Sequence, residues 1–292
     1  MMFINIVTVH SGWILQKIAE RVMATGNLLF EDARFFLSHA PIDQKDVINF
    51  YIDVYNCYHG KTKGIDVGYV THLGYGIEFQ EHWKTLDFVV HKAKRYYEEW
   101  AKYYPKEKMA VLRPGLEIEK FPLKKITIGI FQRGKFAGKG FFFMKELANH
   151  YDFENFRFIF CGKDWDGVVE LYKSKGIEVE YYTSENYENY PKLYAKCDYV
   201  LIPSLVEAGP YACVEALAQG IPVIASDVGW CNEFDVILYE PGNVSQLIEI
   251  LKRIEKERLE RRKQVENMTF ENYVKSLYEI FKNLSGNYEK RI

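Results

Sequence analysis

Short apolar runs alternate along this chain with longer stretches whose apolar positions recur every three or four residues. In the first part the apolar runs are residues 3–9, 33–37, 47–54, 67–71 and 86–90; further on they are 126–131, 156–161, 178–182, 199–202 and 221–225. Runs of this length, rich in Val, Ile, Phe and Tyr, predict strands. Helical patterns follow at 13–24, 92–104, 187–194, 211–219 and 244–268, and the charge-laced 244–268 stretch reads as a solvated face. Thr269 then has the character of a fresh N-cap, and Tyr273, Leu277, Ile280, Phe281 and Leu284 form a helical stripe behind it. Strands and helices in this alternation predict an α/β protein of parallel, doubly wound sheets. Segments between the earlier strands are too short for long helices, so the first half reads as a reduced Rossmann-like domain. The expected divisions are 1–123, 124–268 and a closing helix at 269–292.

The most informative stretch is 203–234, PSLVEAGPYACVEALAQGIPVIASDVGWCNEF. The strand at 199–202 ends at Pro203, and Pro210 has the fixed φ suited to a first helical position. Gly220 and Pro222 stop the helix before the next strand, completing a βαβ unit. Glu207 lies in the loop before this helix, and Glu215 lies about one turn inside it. Between them the free N–H groups around Tyr211 and Ala212, beside Gly209, make a site suited to phosphate. An anion held there would have a carboxylate near each end of whatever it links, and carboxylates are strong acceptors for vicinal sugar hydroxyls. A sugar nucleotide, with hexose, diphosphate and ribose in that order, has this form. Two glutamates so spaced on the rim of an α/β domain also arise by accident, so the surrounding residues decide.

Composition narrows the class. Hydrophobic residues make up 48% of the 292 and charged residues 27%, as in a soluble globular protein. The net charge of −2, with 15 Lys plus Arg against 15 Asp plus Glu up to Leu123, gives no basic face for nucleic acid. The five cysteines are odd in number and scattered, which suggests reduced thiols in a cytoplasmic compartment. Residues 2–9 are too short for a signal peptide or membrane span.

Pro203-Ser204 before Glu207, then Glu215-Ala216-Leu217-Ala218-x-Gly220-x-Pro222-Val223-Ile224-Ala225, then Asp227-Val228-Gly229, closely resemble the C-terminal domain of retaining GT-B glycosyltransferases of the large family-four group. The 111–122 segment, Val-Leu-Arg-Pro-Gly-Leu onward to Phe121-Pro122, resembles that family's interdomain link. The resemblance implies two Rossmann-like domains facing a cleft, an acceptor domain first and a donor-nucleotide domain second, with the last helix crossing back to the first domain. It implies retaining transfer of a sugar from a nucleoside-diphosphate sugar to the hydroxyl of a glycan, a lipid-linked acceptor or another glycoconjugate, without cofactor or essential metal. In the loop at 132–140 Arg133 and Lys139 match the family's grip on the donor diphosphate, with Lys135 a competing assignment. Glu207 would position the hexose and Glu215 the ribose. His72 would lie near the transferred hexose, or would be a structural hydrogen-bonder. His10, Gly12 and Trp13 would lie on the acceptor side.

Some residues depart from the family pattern. The first loop carries one glycine where a pair is usual, which leaves its phosphate role open, and Pro210 removes an amide from the usual Glu-Gly-Phe-Gly loop. Asp164 and Asp166 spell D-x-D, a metal motif of the other glycosyltransferase fold, but inside a second doubly wound domain that motif is out of place. The basic aromatic stretch 92–104 is read as a core-packing helix, with peripheral membrane contact as the alternative. Two rival functions share the fold: a non-catalytic sugar-nucleotide-binding protein or partner subunit, and a sugar-nucleotide epimerase.

Overall fold

The computed structural model describes residues 1–8, 14–71, 78–135 and 138–289. The chain divides into two compact units, one of residues 1–122 with 264–292 and the other of residues 123–263. Each is a six-stranded, all-parallel sheet with helices against it, as the apolar runs predict.

In the first unit the strands are β1 (Met2–Val7), β2 (Ala33–Ser38), β3 (Val47–Tyr51), β4 (Ile65–Val70), β5 (Phe88–His91) and β6 (Met109–Val111), in spatial order 2-1-3-4-5-6. One face is covered by α1 (Ile14–Leu29) and the C-terminal α9 (Phe270–Glu289). Thr269 caps α9 as anticipated, its Oγ1 accepting from the Asn272 amide at 3.1 Å. Tyr273, Val274, Leu277, Tyr278 and Phe281 of α9 are buried against Ile18 and Val22 of α1 and Phe50 of β3. Tyr278 donates to Asp32 at 2.6 Å and stacks on Phe30 at 3.8 Å.

The opposite face has little helix. Here α2 (Val54–Cys57) is one turn long, α3 is limited to Lys94–Trp100, and the space is filled by aromatic rings. Trp83 and Trp100 stack at 5.4 Å, with Tyr58 and Tyr104 buried beside them. The helix expected over 92–104 is therefore shorter, and Trp100 and Tyr104 belong to the core. Next to this cluster Asn5, Asn49 and Asp66 sit fully buried on neighbouring strands. Asp66 accepts from the Tyr51 hydroxyl at 2.9 Å, the Thr62 amide at 2.8 Å and Lys61 at 2.8 Å, so the buried charge is both paired and hydrogen-bonded, which its desolvation requires.

The second unit contains β7 (Ile126–Phe131), β8 (Phe156–Cys161), β9 (Glu178–Tyr182), β10 (Tyr199–Ile202), β11 (Val223–Ser226) and β12 (Ile237–Tyr239), in order 12-11-10-7-8-9. Renumbered within the unit this is 3-2-1-4-5-6 read from the other edge, the Rossmann order. On one side lie α4 (Phe141–His150), α5 (Asp166–Ser174) and α8 (Val244–Lys263); on the other lie α6 (Tyr190–Tyr194) and α7 (Tyr211–Ala218). All six residues of β7 are buried, as befits a central strand covered on both faces.

Two expectations need correcting. Helix α8 is not solvated throughout, because Val244, Leu247, Ile250, Leu251 and Ile254 recur at helical spacing and are buried in the core; the charges occupy its other face and its end. The three-residue strands β6 and β12 were not anticipated, since runs so short carry no periodicity.

The return of α9 to the first unit leads to a stability test. Phe281 is fully buried and meets Phe50 edge-on at 5.5 Å, so Phe281→Ala is expected to cost about 3–5 kcal/mol. Denaturant unfolding would check this, and a loss below about 1 kcal/mol would show that α9 does not hold this core together.

Candidate functional site

In an open parallel sheet the crevice lies beyond the carboxyl ends of the strands, where the strand order reverses. In the second unit that point is between β7 and β10, which are hydrogen-bonded neighbours. The residues after β7 are Gln132, Arg133 and onward to Lys139, and those after β10 lead to Glu207. Gly140, at φ +87°, lets the two loops approach, since a Cβ there would lie 2.1 Å from the Pro203 carbonyl oxygen. Side chains then join them. Gln132 donates to the Lys139 carbonyl at 2.6 Å and accepts from Ser204 Oγ at 3.2 Å. Lys139 and Glu207 form an ion pair with side chains only 21% and 16% exposed.

A cavity of about 450 Å3 opens at this point. Arg133, Lys139 and Glu207 line one part of it, and Gly209, Tyr211, Ala212 and Glu215 line another. Every donor-side residue expected from sequence is thus in one pocket. Arg133 also contacts Asp164 at 3.3 Å, across an exposed pair. Lys135 instead lies over the Phe141 ring at 5.6 Å and lines a different cavity, which favours Lys139 for the pocket.

Pro210 is not the first helical residue. It precedes α7 in an extended conformation, φ −72° and ψ 113°, and its carbonyl accepts from the Cys213 amide at 3.0 Å. Among the described residues no side chain caps the helix, and its first two residues, Tyr211 and Ala212, line the cavity, which puts the positive end of the helix beside it. The loop before it is held by Trp230, for a Cβ on Gly209 would meet that ring at 2.6 Å.

Glu215, the fifth residue of α7, accepts a hydrogen bond on each carboxylate oxygen, from Tyr187 at 2.7 Å and from Tyr194 at 2.6 Å. The Glu215 bond pushes the Tyr187 hydroxyl up in pKa; burial, and then the hydrogen bond to Glu215, does the same for Tyr194. Both phenols therefore stay protonated and act as donors.

Sequence reasoning missed Gln132, Tyr187, Tyr194 and Trp230. The 187, 190, 194 spacing of tyrosines was visible before β10, but it reads equally as a core stripe. Asp164, at φ +70°, and Asp166, in the first turn of α5, do not converge with further ligands: among the described residues no group of three or more His, Cys, Asp or Glu is placed to hold a metal ion. His10, Gly12, Trp13 and His72 lie outside the described residues. Among the described residues no helix is long and apolar enough to cross a membrane.

No curated protein sequence matches the chain. Among solved structures, the chain is similar to the lipopolysaccharide outer core galactosyltransferase WaaB in its apo form, at 16% identity and a TM-score of 0.39, covering 97% of this chain and 100% of that one. It is similar to Anabaena HepE in complex with UDP and glucose at 13% identity and a TM-score of 0.39, covering 100% and 99%. It is also similar to a sucrose-phosphate synthase from Thermosynechococcus elongatus at 13% identity and a TM-score of 0.40, covering 98% and 100%. The ligands in those names are properties of those proteins. The profile of glycosyl transferases group 1 matches residues 117–270, more than half of the 292, and includes the pocket with both of its glutamates. By that match the chain belongs to the group 1 glycosyl transferases.

Proposed function

We propose that this chain is a retaining glycosyltransferase that moves a sugar from a nucleoside-diphosphate sugar to an acceptor hydroxyl. The observation that carries this reading is one cavity lined by two cations, the uncapped start of α7 and two carboxylates. Arg133, Lys139 and the amides at Tyr211 and Ala212 bind the diphosphate; Glu215 accepts from the ribose and Glu207 from the hexose. In the free protein Lys139 and Glu207 satisfy each other. A bound donor replaces that pair by diphosphate on Lys139 and a sugar hydroxyl on Glu207.

As the glycosidic bond to the diphosphate breaks, positive charge builds at the anomeric carbon and negative charge on the leaving oxygen. The cations and helix amides stabilise the second, which is transition-state electrostatics in a partly dried site. Glu207 supports the first. The acceptor hydroxyl attacks on the face the diphosphate leaves, and the departing diphosphate takes its proton. No metal is needed where fixed cations and amides already meet the phosphate charge. The first unit takes the acceptor, a glycan or a lipid-linked one, and the enzyme works in the cytoplasm. Release of nucleoside diphosphate from a panel of donor sugars, with and without acceptors, tests the reading; a change in the sugar without transfer would point to an epimerase, and no turnover of any donor to a binding protein.

Three outcomes follow from these roles. Glu215→Ala is expected to weaken nucleoside diphosphate binding about tenfold to a hundredfold, since hydrogen bonds to a charged group are worth roughly 1.5–3 kcal/mol. Calorimetric titration measures it, and unchanged affinity in a folded variant removes Glu215 from the site. Glu207→Gln keeps shape and removes charge, so kcat is expected to fall on the order of 10²–10³ while nucleoside diphosphate affinity stays close to normal. Normal turnover, or a loss of affinity as severe as that of Glu215→Ala, means the two glutamates have been assigned the wrong roles. Excess EDTA is expected to leave activity in place; complete loss restored by manganese or magnesium would require a metal-dependent mechanism.

A further inference from the structure

Glu215 carries more order than a ligand-binding carboxylate on a helix surface requires. Tyr187 donates to its Oε1 and Tyr194 to its Oε2, at 2.7 and 2.6 Å. The two tyrosines are held very differently. Tyr194 is 1% exposed and lies flat on Phe131 with ring centroids 3.9 Å apart. Tyr187 is 65% exposed, on the 3-10 turn Tyr187–Asn189, which Asn186 caps by accepting from the Glu188 amide. Tyr190 joins them, its ring 5.3 Å from Tyr187 and 6.0 Å from Phe131.

A carboxylate has about four lone-pair positions. With one position on each oxygen taken by a phenol, one on each remains, and the carboxylate can no longer turn about its last bond without losing both donors. Two acceptors fixed side by side in this way match the adjacent hydroxyls of a cis-diol. A single hydroxyl can use only one of them and leaves the other unanswered. We propose that Tyr187 and Tyr194 clamp Glu215 so that the pocket selects a ribose bearing both its 2′- and 3′-hydroxyls over a 2′-deoxyribose. The inference rests on the nucleoside diphosphate reading given above. Both tyrosines are positioning residues, acting on the sugar through Glu215.

The test is a ratio, because damage to the pocket weakens all nucleotides together whereas loss of the clamp removes the preference alone. Dissociation constants are measured by calorimetry for UDP, GDP and ADP and for the 2′-deoxy counterpart of each, with the full chain and with Tyr187→Phe, Tyr194→Phe and the double variant. The unaltered protein is expected to favour the ribonucleotide of its preferred base by about tenfold or more. In Tyr194→Phe that preference should drop to about threefold or less, with the deoxynucleotide's affinity changed by less than about twofold. Tyr187→Phe should lower it less, and the double variant should nearly abolish it. A wild-type preference that persists in the double variant overturns the clamp, as does tighter ribonucleotide binding by Tyr187→Phe, which would make that phenol a competitor for the ribose position. If Tyr194→Phe does not fold, the exposed Tyr187→Phe decides by the same ratio. Wild-type protein that binds none of the six nucleotides overturns the nucleotide reading itself, whereas binding without a ribose preference overturns the clamp alone.

Discussion

The pocket depends on the contact between the loop after β7 and the loop after β10. Parallel strands send their following loops to one edge of the sheet, and adjacent strands with opposite winding leave a gap there. That topology alone does not bring Lys139 to Glu207. The approach of Gly140 to the Pro203 carbonyl, tighter than any side chain permits, closes the gap to the width of an ion pair. Gln132 then ties the two loops together by donating to one and accepting from the other. That closure brings the cations of one loop and the helix start at the end of the other into one pocket.

The two units solve the same burial problem by different means. In the second, helices cover both faces of the sheet, α4, α5 and α8 on one and the shorter α6 and α7 on the other, and their apolar residues supply the core. In the first, α1 and α9 cover one face, while stacked tryptophans, tyrosines and the buried Asn5, Asn49 and Asp66 group occupy the other. Large rings bury much area per residue, which suits a face whose connections are too short for long helices. Aromatic rings also fill the core of the second unit, where Phe153, Phe156, Phe158, Phe160, Trp165 and Tyr172 are buried together.

Legibility followed burial and period. Strands β7, β8 and β10 were readable to the residue, because central parallel strands are largely apolar runs; the edge strand β9, Glu-Val-Glu-Tyr-Tyr, is only partly buried and was readable from its β-prone Val and Tyr residues. Helix α8 misled because its charges outnumber the five apolar positions that anchor it. At the site the charged residues were legible: Arg133, Lys139 and Glu207 in the loops after strands and Glu215 on α7 all line the cavity. The residues that hold them were not. Gln132, Tyr187, Tyr194 and Trp230 act through contacts between segments far apart in sequence, and a tyrosine facing a carboxylate is written no differently from one facing the core.

The Lys139 and Glu207 pair depends on the same closure. Both side chains are mostly withdrawn from water, so leaving either alone would be costly, and each is the other's compensation. Gln132 and the close approach at Gly140 set the distance at which the two can meet, so a change that loosens the loops would leave two half-buried charges without the partner each now has.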